Sequence, residues 1–321
     1  MNLLASWLAS PPPDAAVEIA PTHVSAATVE TRGAGVAVRS YAVETLAPGA
    51  VVASLGSHNV VDRPVVTAAV RTVLERLQTR TARVALVIPD LAAKVSIVHF
   101  DEVPARRDDL DQLVRWQVRK SAPFPIDDAS VTYSPGTPGA NGGTDFVVAL
   151  ARRAIVEEYE GVCAEAGTYA GLVDLSTLSM LNLVLASPVG PTSDCLVVHV
   201  RPEYTSIAIV RRGTVVFFRN RPEGGDETLS DLVHQTAMYY QDRLSGEGFA
   251  RVLLGGSGRE AGAVDDTRRS LQERLGATVE PINATIGQGG SARVGGAGSV
   301  ADFLAPLAGV LLRTQQEAVG A

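Results

Sequence analysis

The chain has 321 residues, 46% of them apolar, and a formal net charge of −7. That is ample for a core in two lobes, and the acidic balance excludes a general pull toward nucleic acid or anionic lipid. Aromatic residues are only 5%, which excludes a base-stacking platform, and the two cysteines and five scattered histidines have no metal-ligand spacing.

The first residues, MNLLASWLASPPPDAA, are apolar but lack a basic leading segment. They read as a short amphipathic tail over 1–15 rather than a signal peptide. No uninterrupted apolar run reaches the ~18 residues of a membrane-spanning helix. Three strands are expected over 16–19, 24–31 and 36–43, then a helix over 65–77 with Val66, Ala69, Val70, Val73, Leu74 and Leu77 at helical spacing. A β-branched run over 83–88 closes at Pro89, and a strand over 92–100 follows.

The stretch DDLDQLVRWQVRKSAPFPIDD, residues 108–128, is the most informative. Asp108 reads as an N-cap, and Leu110, Leu113, Val114 and Val118 share one helical face. Pro123 ends the helix, and Pro123 with Pro125 holds Phe124 between two fixed φ angles. Trp116 lies beside the apolar stripe and reads as core, with a partner-surface anchor as the alternative. Strands over 129–134 and 145–151 flank a Gly/Pro/Asn loop, so 83–151 reads as a small inserted α+β subdomain.

A helix over 153–166, a strand over 171–175 and a helix over 176–186 return to the first lobe, assigned to 16–82 and 152–190. SPVGPTS, residues 187–193, reads as the linker to a second lobe over 191–321. That lobe opens with strands over 195–200, 206–210 and 214–219. A helix over 226–244, expected to be the longest, comes next. A strand over 250–254 ends at Gly255-Gly256-Ser257-Gly258. A helix over 263–275, a strand over 278–281, a Gly-rich loop and a last helix over 301–312 complete it. His199, in an apolar strand, reads as a satisfied core residue.

The segment LVRWQVRKSAPFPIDDASVTYSPG resembles the RWE…IPFP segment of the type IV pilus assembly PilM family, relatives of the division protein FtsA. The resemblance implies an α/β, actin-like (ribonuclease H-like) two-lobed fold, with the inserted subdomain serving protein interaction. It also implies Mg-nucleotide between two β-hairpins, each opening with Asp-x-Gly. This chain departs at both. Glu18-Ile19-Ala20-Pro21-Thr22 stands where the family has Asp-Ile-Gly-Ser-Ser, and His199-Val200-Arg201-Pro202 where it has Asp-Ile-Gly-Ala. Ala20 adds a Cβ and Pro21 removes an N–H donor. Only Thr22, Thr205 and Ser206 keep hydroxyls, and Gly255, Gly256, Ser257 and Gly258 resemble the family's adenosine motif. Those seven residues are the expected remnant of a nucleotide cleft, although Gly-Gly after an apolar strand is also an ordinary turn. RPEGGD, residues 221–226, matches the family's IPIGGD, but one helix then leads almost directly to the GGSG strand. The helical subdomain that covers adenine is therefore expected to be missing, as in the cytoplasmic domain of the type II secretion protein GspL.

The expectation is a non-catalytic cytoplasmic scaffold of a type IV pilus-like or type II secretion-like machine, without cofactor or metal. The resemblance implies that it binds the N-terminal cytoplasmic peptide of a PilN-like inner-membrane protein, between the first lobe and the insert. Trp116, Phe124 and Pro125 are the expected partner residues, and the membrane is reached only through the partner. Met1-Asn2-Leu3-Leu4 resembles the partner's own peptide, so self-association through the tail is a further expectation. The alternative is an ATP- and magnesium-binding actin-like ATPase, with Glu18 as the acidic residue facing the cleft.

Overall fold

A computed structural model describes residues 12–13, 15–32, 35–78, 81–138, 142–186, 194–224, 228–256, 263–282 and 300–320. The tail Met1–Leu4, Ser257 and Gly258 lie outside these described residues.

The first lobe is built on β1 (Ala15–Ile19), β2 (His23–Arg32), β3 (Gly35–Thr45), β4 (Arg83–Ile88) and β8 (Tyr169–Leu175), in the order β3-β2-β1-β4-β8. The β1–β2 and β2–β3 pairs are antiparallel, whereas β1–β4 and β4–β8 are parallel. β1 and β4 are central and buried on both faces, which explains why AAVEI and RVALVI are apolar apart from Glu18 and the strand-opening Arg83. Helices α1 (Arg63–Arg76) and α3 (Arg153–Glu165) cover one face through Val66, Val70, Val73, Ile155 and Tyr159. Asp62 caps α1 by accepting from Val65 N, and a proline occupies the first turn.

The second lobe repeats this plan. β9 (Cys195–Val200), β10 (Tyr204–Arg211), β11 (Thr214–Pro222), β12 (Arg251–Gly256) and β13 (Val279–Pro281) form a sheet of order β11-β10-β9-β12-β13. Its first three strands are antiparallel and its last two join in parallel. Helix α5 (Leu229–Leu244) packs Leu232, Val233 and Tyr240 on it, and α6 (Ala263–Leu275) follows β12. Among the described residues, α5 is the one helix between β11 and β12, as expected from the spacing.

Between the lobes lies a three-stranded sheet, β5 (Ala93–Phe100), β6 (Ala129–Pro138) and β7 (Thr144–Arg152), in the order β5-β7-β6. Helix α2 (Arg107–Arg119) packs on it with Val114 and Val118 buried among Val98, Phe100, Phe146, Val148 and Leu150. Helix α4 (Ser176–Leu185) follows β8, and α7 (Val300–Gly320) closes the chain. The run LAPLAGVLL in α7 has no polar face because the helix is buried between the lobes. Leu307 and Leu311 meet the first sheet, while Ala305, Ala308 and Leu312 join the core under the second. No helix among the described residues is long and apolar enough to cross a membrane.

Four expectations change. The insert does not begin at 83, because β4 is a central strand of the first lobe; the inserted sheet starts at Ala93. Asp108 is not the N-cap of α2. Arg106 occupies that position without a side-chain cap bond, and Asp108 and Asp109 lie in the first turn. The longest described helix is α7, with 21 residues, against 16 for α5. Trp116 is not core: it is 62% exposed on the outer side of α2, with the Lys120 ammonium 6.0 Å from its ring centroid.

Candidate functional site

The lobes meet where the β1–β2 and β9–β10 turns face each other, and the seam is filled by protein. Arg201, at the end of β9, donates from Nη2 to Glu18 Oε1 of β1 at 2.5 Å. Both side chains are buried. Glu18 also accepts from Ser176 Oγ at 2.8 Å and from Ser25 Oγ at 3.5 Å, and His23 Nε2 lies 3.7 Å from Oε2. Burial pushes the Glu18 carboxyl up, but Arg201, with His23 and Ser176, outweighs it and holds the pKa at about 2. The carboxylate that faces the cleft in sequence is thus committed to an internal ion pair.

A second cross-lobe cluster centres on Asp90, directly after β4 and Pro89. Its carboxylate accepts from Thr177 N at 2.9 Å, from Thr177 Oγ1, and from Ser206 Oγ at 2.5 Å. Asn220 Nδ2 of β11 donates to the Asp90 carbonyl at 3.0 Å. Asp90 is fully buried, and burial raises its pKa against the pull of Ser206 and Thr177. The Thr177 hydroxyl also sits 2.7 Å from His199 Nδ1. Since that hydroxyl donates to Asp90, His199 carries its proton on Nδ1 and leaves Nε2 as an acceptor with no partner among the described residues. Burial, and then Arg201, lower the His199 pKa to about 3. His199 is core as expected, but only half satisfied.

Acid should therefore loosen the seam. The unfolded imidazole takes up its proton near pH 6.5 and the folded one only near 3, so unfolding binds a proton throughout that window. Stability contributed by neutral His199 is complete above pH 6.5 and is lost as pH falls toward 3, at roughly 1.4 kcal/mol per pH unit per proton. Glu18 acts in the same direction between 4.5 and about 2. Urea midpoints measured at pH 7.5, 6 and 5 are expected to fall in the parent chain and to fall less steeply in His199→Gln. Equal slopes would assign the proton to another group.

Ser206 is in the seam as Asp90's partner, and Thr205 is buried beside it. Thr22 is exposed at the β1–β2 turn, its hydroxyl 3.1 Å from His23 Nδ1. Gly255 and Gly256 close β12 against β9, in register with His199 and Val200. A Cβ on Gly256 would stand 1.9 Å from the Val200 carbonyl oxygen, and its φ is +92°. Close strand packing is thus sufficient reason for this glycine. Sequence reasoning missed Asp90, Ser176 and Thr177. One signal was available: a carboxylate two residues past the apolar run 84–88, at the strand end where open α/β sheets place polar sites.

A groove opens beside the seam, with a volume of about 360 Å³. Its floor is the face of the inserted sheet carrying Thr132, Val147 and Ala149. Leu178, Leu181 and Leu185 of α4 form one wall, and the β10–β11 turn at Gly213 and Thr214 closes the other side. Asp174 and Arg313 lie at its edge as an ion pair of 3.3 Å, and buried Asn182 Nδ2 is without a partner among the described residues. Because Ser176 and Thr177 open α4, the seam network grips the first turn of the helix that walls the groove. Phe124 is half-buried against the α2 side of the insert, and Pro125 is exposed. Neither these two nor Trp116 lines the groove.

Two sheets of one topology, facing across a hairpin-lined seam, define an actin-like two-lobed protein. A family model described as type IV pilus assembly protein PilM matches residues 16–243, and the chain belongs to that family. Among solved structures it is similar to a PilM–PilN type IV pilus biogenesis complex, with a TM-score of 0.75 at 17% identity, covering 95% of this chain and 98% of that one. It also matches the ethanolamine utilization protein EutJ from Carboxydothermus hydrogenoformans (TM-score 0.49, 14% identity, 95% and 90% covered). A third match is the cytoplasmic domain of EpsL, an inner-membrane component of the Vibrio cholerae type II secretion system (TM-score 0.46, 10% identity, 96% and 94% covered).

Proposed function

We propose that this chain is a non-catalytic scaffold of a type IV pilus-like machine, working at the cytoplasmic face of the inner membrane. It holds the N-terminal cytoplasmic segment of a PilN-like membrane protein, and it does so without nucleotide. The observation that carries the reading is the buried Arg201–Glu18 pair. A guanidinium and its carboxylate occupy the seam in which the family places phosphate and metal, and the ion pair already joins the lobes. His199 in place of an aspartate leaves that hairpin without a magnesium-ordering carboxylate. The partner reading draws on the family, on the complex to which the fold is similar, and on the groove. Leu178, Leu181 and Leu185 offer apolar contact there.

Calorimetric titration with ATP and magnesium is expected to give no saturable heat. Micromolar, magnesium-dependent binding would overturn the nucleotide-free reading. ATP turnover abolished by Glu18→Gln would instead identify an ATPase.

A further inference from the structure

β6 is an edge strand. Between Ala129 and Ser134 it pairs with β7 on one side, and among the described residues no strand lies on the other. Two hollows meet along this edge. One is the groove, reached by Ser130, Thr132 and Ser134. The other, about 640 Å³, lies on the α2 side and is bordered by Val131 and Tyr133 of β6 and by Arg107, Asp111 and Arg115 of α2. Strand alternation accounts for the split, since successive side chains point to opposite faces. Thr132 and Tyr133 border both hollows, so both reach this stretch of the edge.

The hollows differ in character. The groove is walled by leucines. In the second hollow, two guanidinium groups face one carboxylate, and that carboxylate already accepts the Tyr133 hydroxyl at 2.5 Å. Edges are ordinarily blocked by charge, proline or a bulge. β6 carries Pro135 and Pro138, with an irregular register between them, only at its far end. The stretch before them is long enough to pair with a strand of about five residues.

We infer that the partner segment binds in extended form, adding to β6 as a fourth strand. Its alternate side chains enter the leucine-walled groove, and an Asp or Glu among the intervening ones meets Arg107 and Arg115. Main-chain hydrogen bonds to the edge supply affinity, and the two unlike hollows set register and choice of sequence. This rests on the groove being the partner site, as proposed above.

The test uses the full chain and a synthetic peptide of the N-terminal cytoplasmic segment of a PilN-like protein. Single backbone N-methylations, each removing one N–H donor, are walked along the peptide. Affinity is expected to fall about tenfold at alternate positions and little between them. The double substitution Arg107→Glu, Arg115→Glu is expected to weaken binding by about tenfold or more with an unchanged unfolding midpoint. Ala149→Trp, which fills the groove floor, should abolish binding. If the unmodified peptide does not bind, or if Ala149→Trp leaves binding intact, the groove reading itself fails. If the peptide binds and Ala149→Trp blocks it, but N-methylation shows no alternation or the double variant binds normally, the added strand is overturned and the groove stands.

Discussion

Arg201→Ala is expected to lower the unfolding free energy by roughly 3–5 kcal/mol, because it leaves Glu18 buried without a counter-charge. Glu18 is 1% exposed, and its remaining neighbours are two hydroxyls and His23, whose own pKa is pushed down by burial. Removing both charges should behave differently. Glu18→Met with Arg201→Met leaves apolar groups of similar bulk in the seam and is expected to recover most of the lost stability. Urea unfolding of the two single variants and the double variant gives the coupling directly. A loss below about 1 kcal/mol for Arg201→Ala would mean that water reaches Glu18 and that the seam is not closed. The same variant reports on function. Ser176 and Thr177 belong to both the seam network and α4, so amide exchange in the first turn of α4 should rise when the pair is broken. In a protein whose lobes were bridged by a ligand, that protection would follow ligand concentration. Here it is expected to be constant with or without ATP.

Gly256→Ala is expected to be comparably severe, costing about 4 kcal/mol or more, or preventing soluble expression. Its added Cβ would collide with the backbone of Val200, not with the end of a flexible side chain, so β9 and β12 would have to part at the centre of the second sheet. The positive φ adds a conformational cost of roughly 1 kcal/mol. Gly49→Ala separates the two contributions. Gly49 has a φ of +85° and nothing within 4 Å of the added Cβ, so it should lose only the conformational part. Equal losses at the two positions, compared by chemical denaturation, would rule out the strand contact as the cause. The outcome also bears on the glycine pair resembling an adenosine motif, because a large loss at Gly256 accounts for that residue without a ligand.

Much of the architecture was legible beforehand. The repeated β-β-β-α openings, the apolar stripe of α2 and the single helix between β11 and β12 are all local patterns. Each reports which face of a short segment is buried. The two departures at the hairpins, Glu18 to Thr22 and His199 to Pro202, were visible as replacements of the family's Asp-x-Gly openings. Periodicity failed where burial depends on a neighbour distant in sequence. Trp116 borders the stripe of α2, but the inserted sheet is only three strands wide and covers Val114 and Val118 rather than the indole. β4 precedes the insert in the chain, yet its hydrogen bonds go to β1 and β8.

By itself, then, the sequence determined the order of the elements, the family and the departures from its Asp-x-Gly openings, because these reside in adjacent residues and short spacings. Only the tertiary structure decided what replaced them. Glu18 and Arg201 are 183 residues apart, and Asp90 and Ser206 are 116 apart. No local pattern encodes such pairings; they form when two sheets dock, and docking buries the charges only because each finds its partner across the seam.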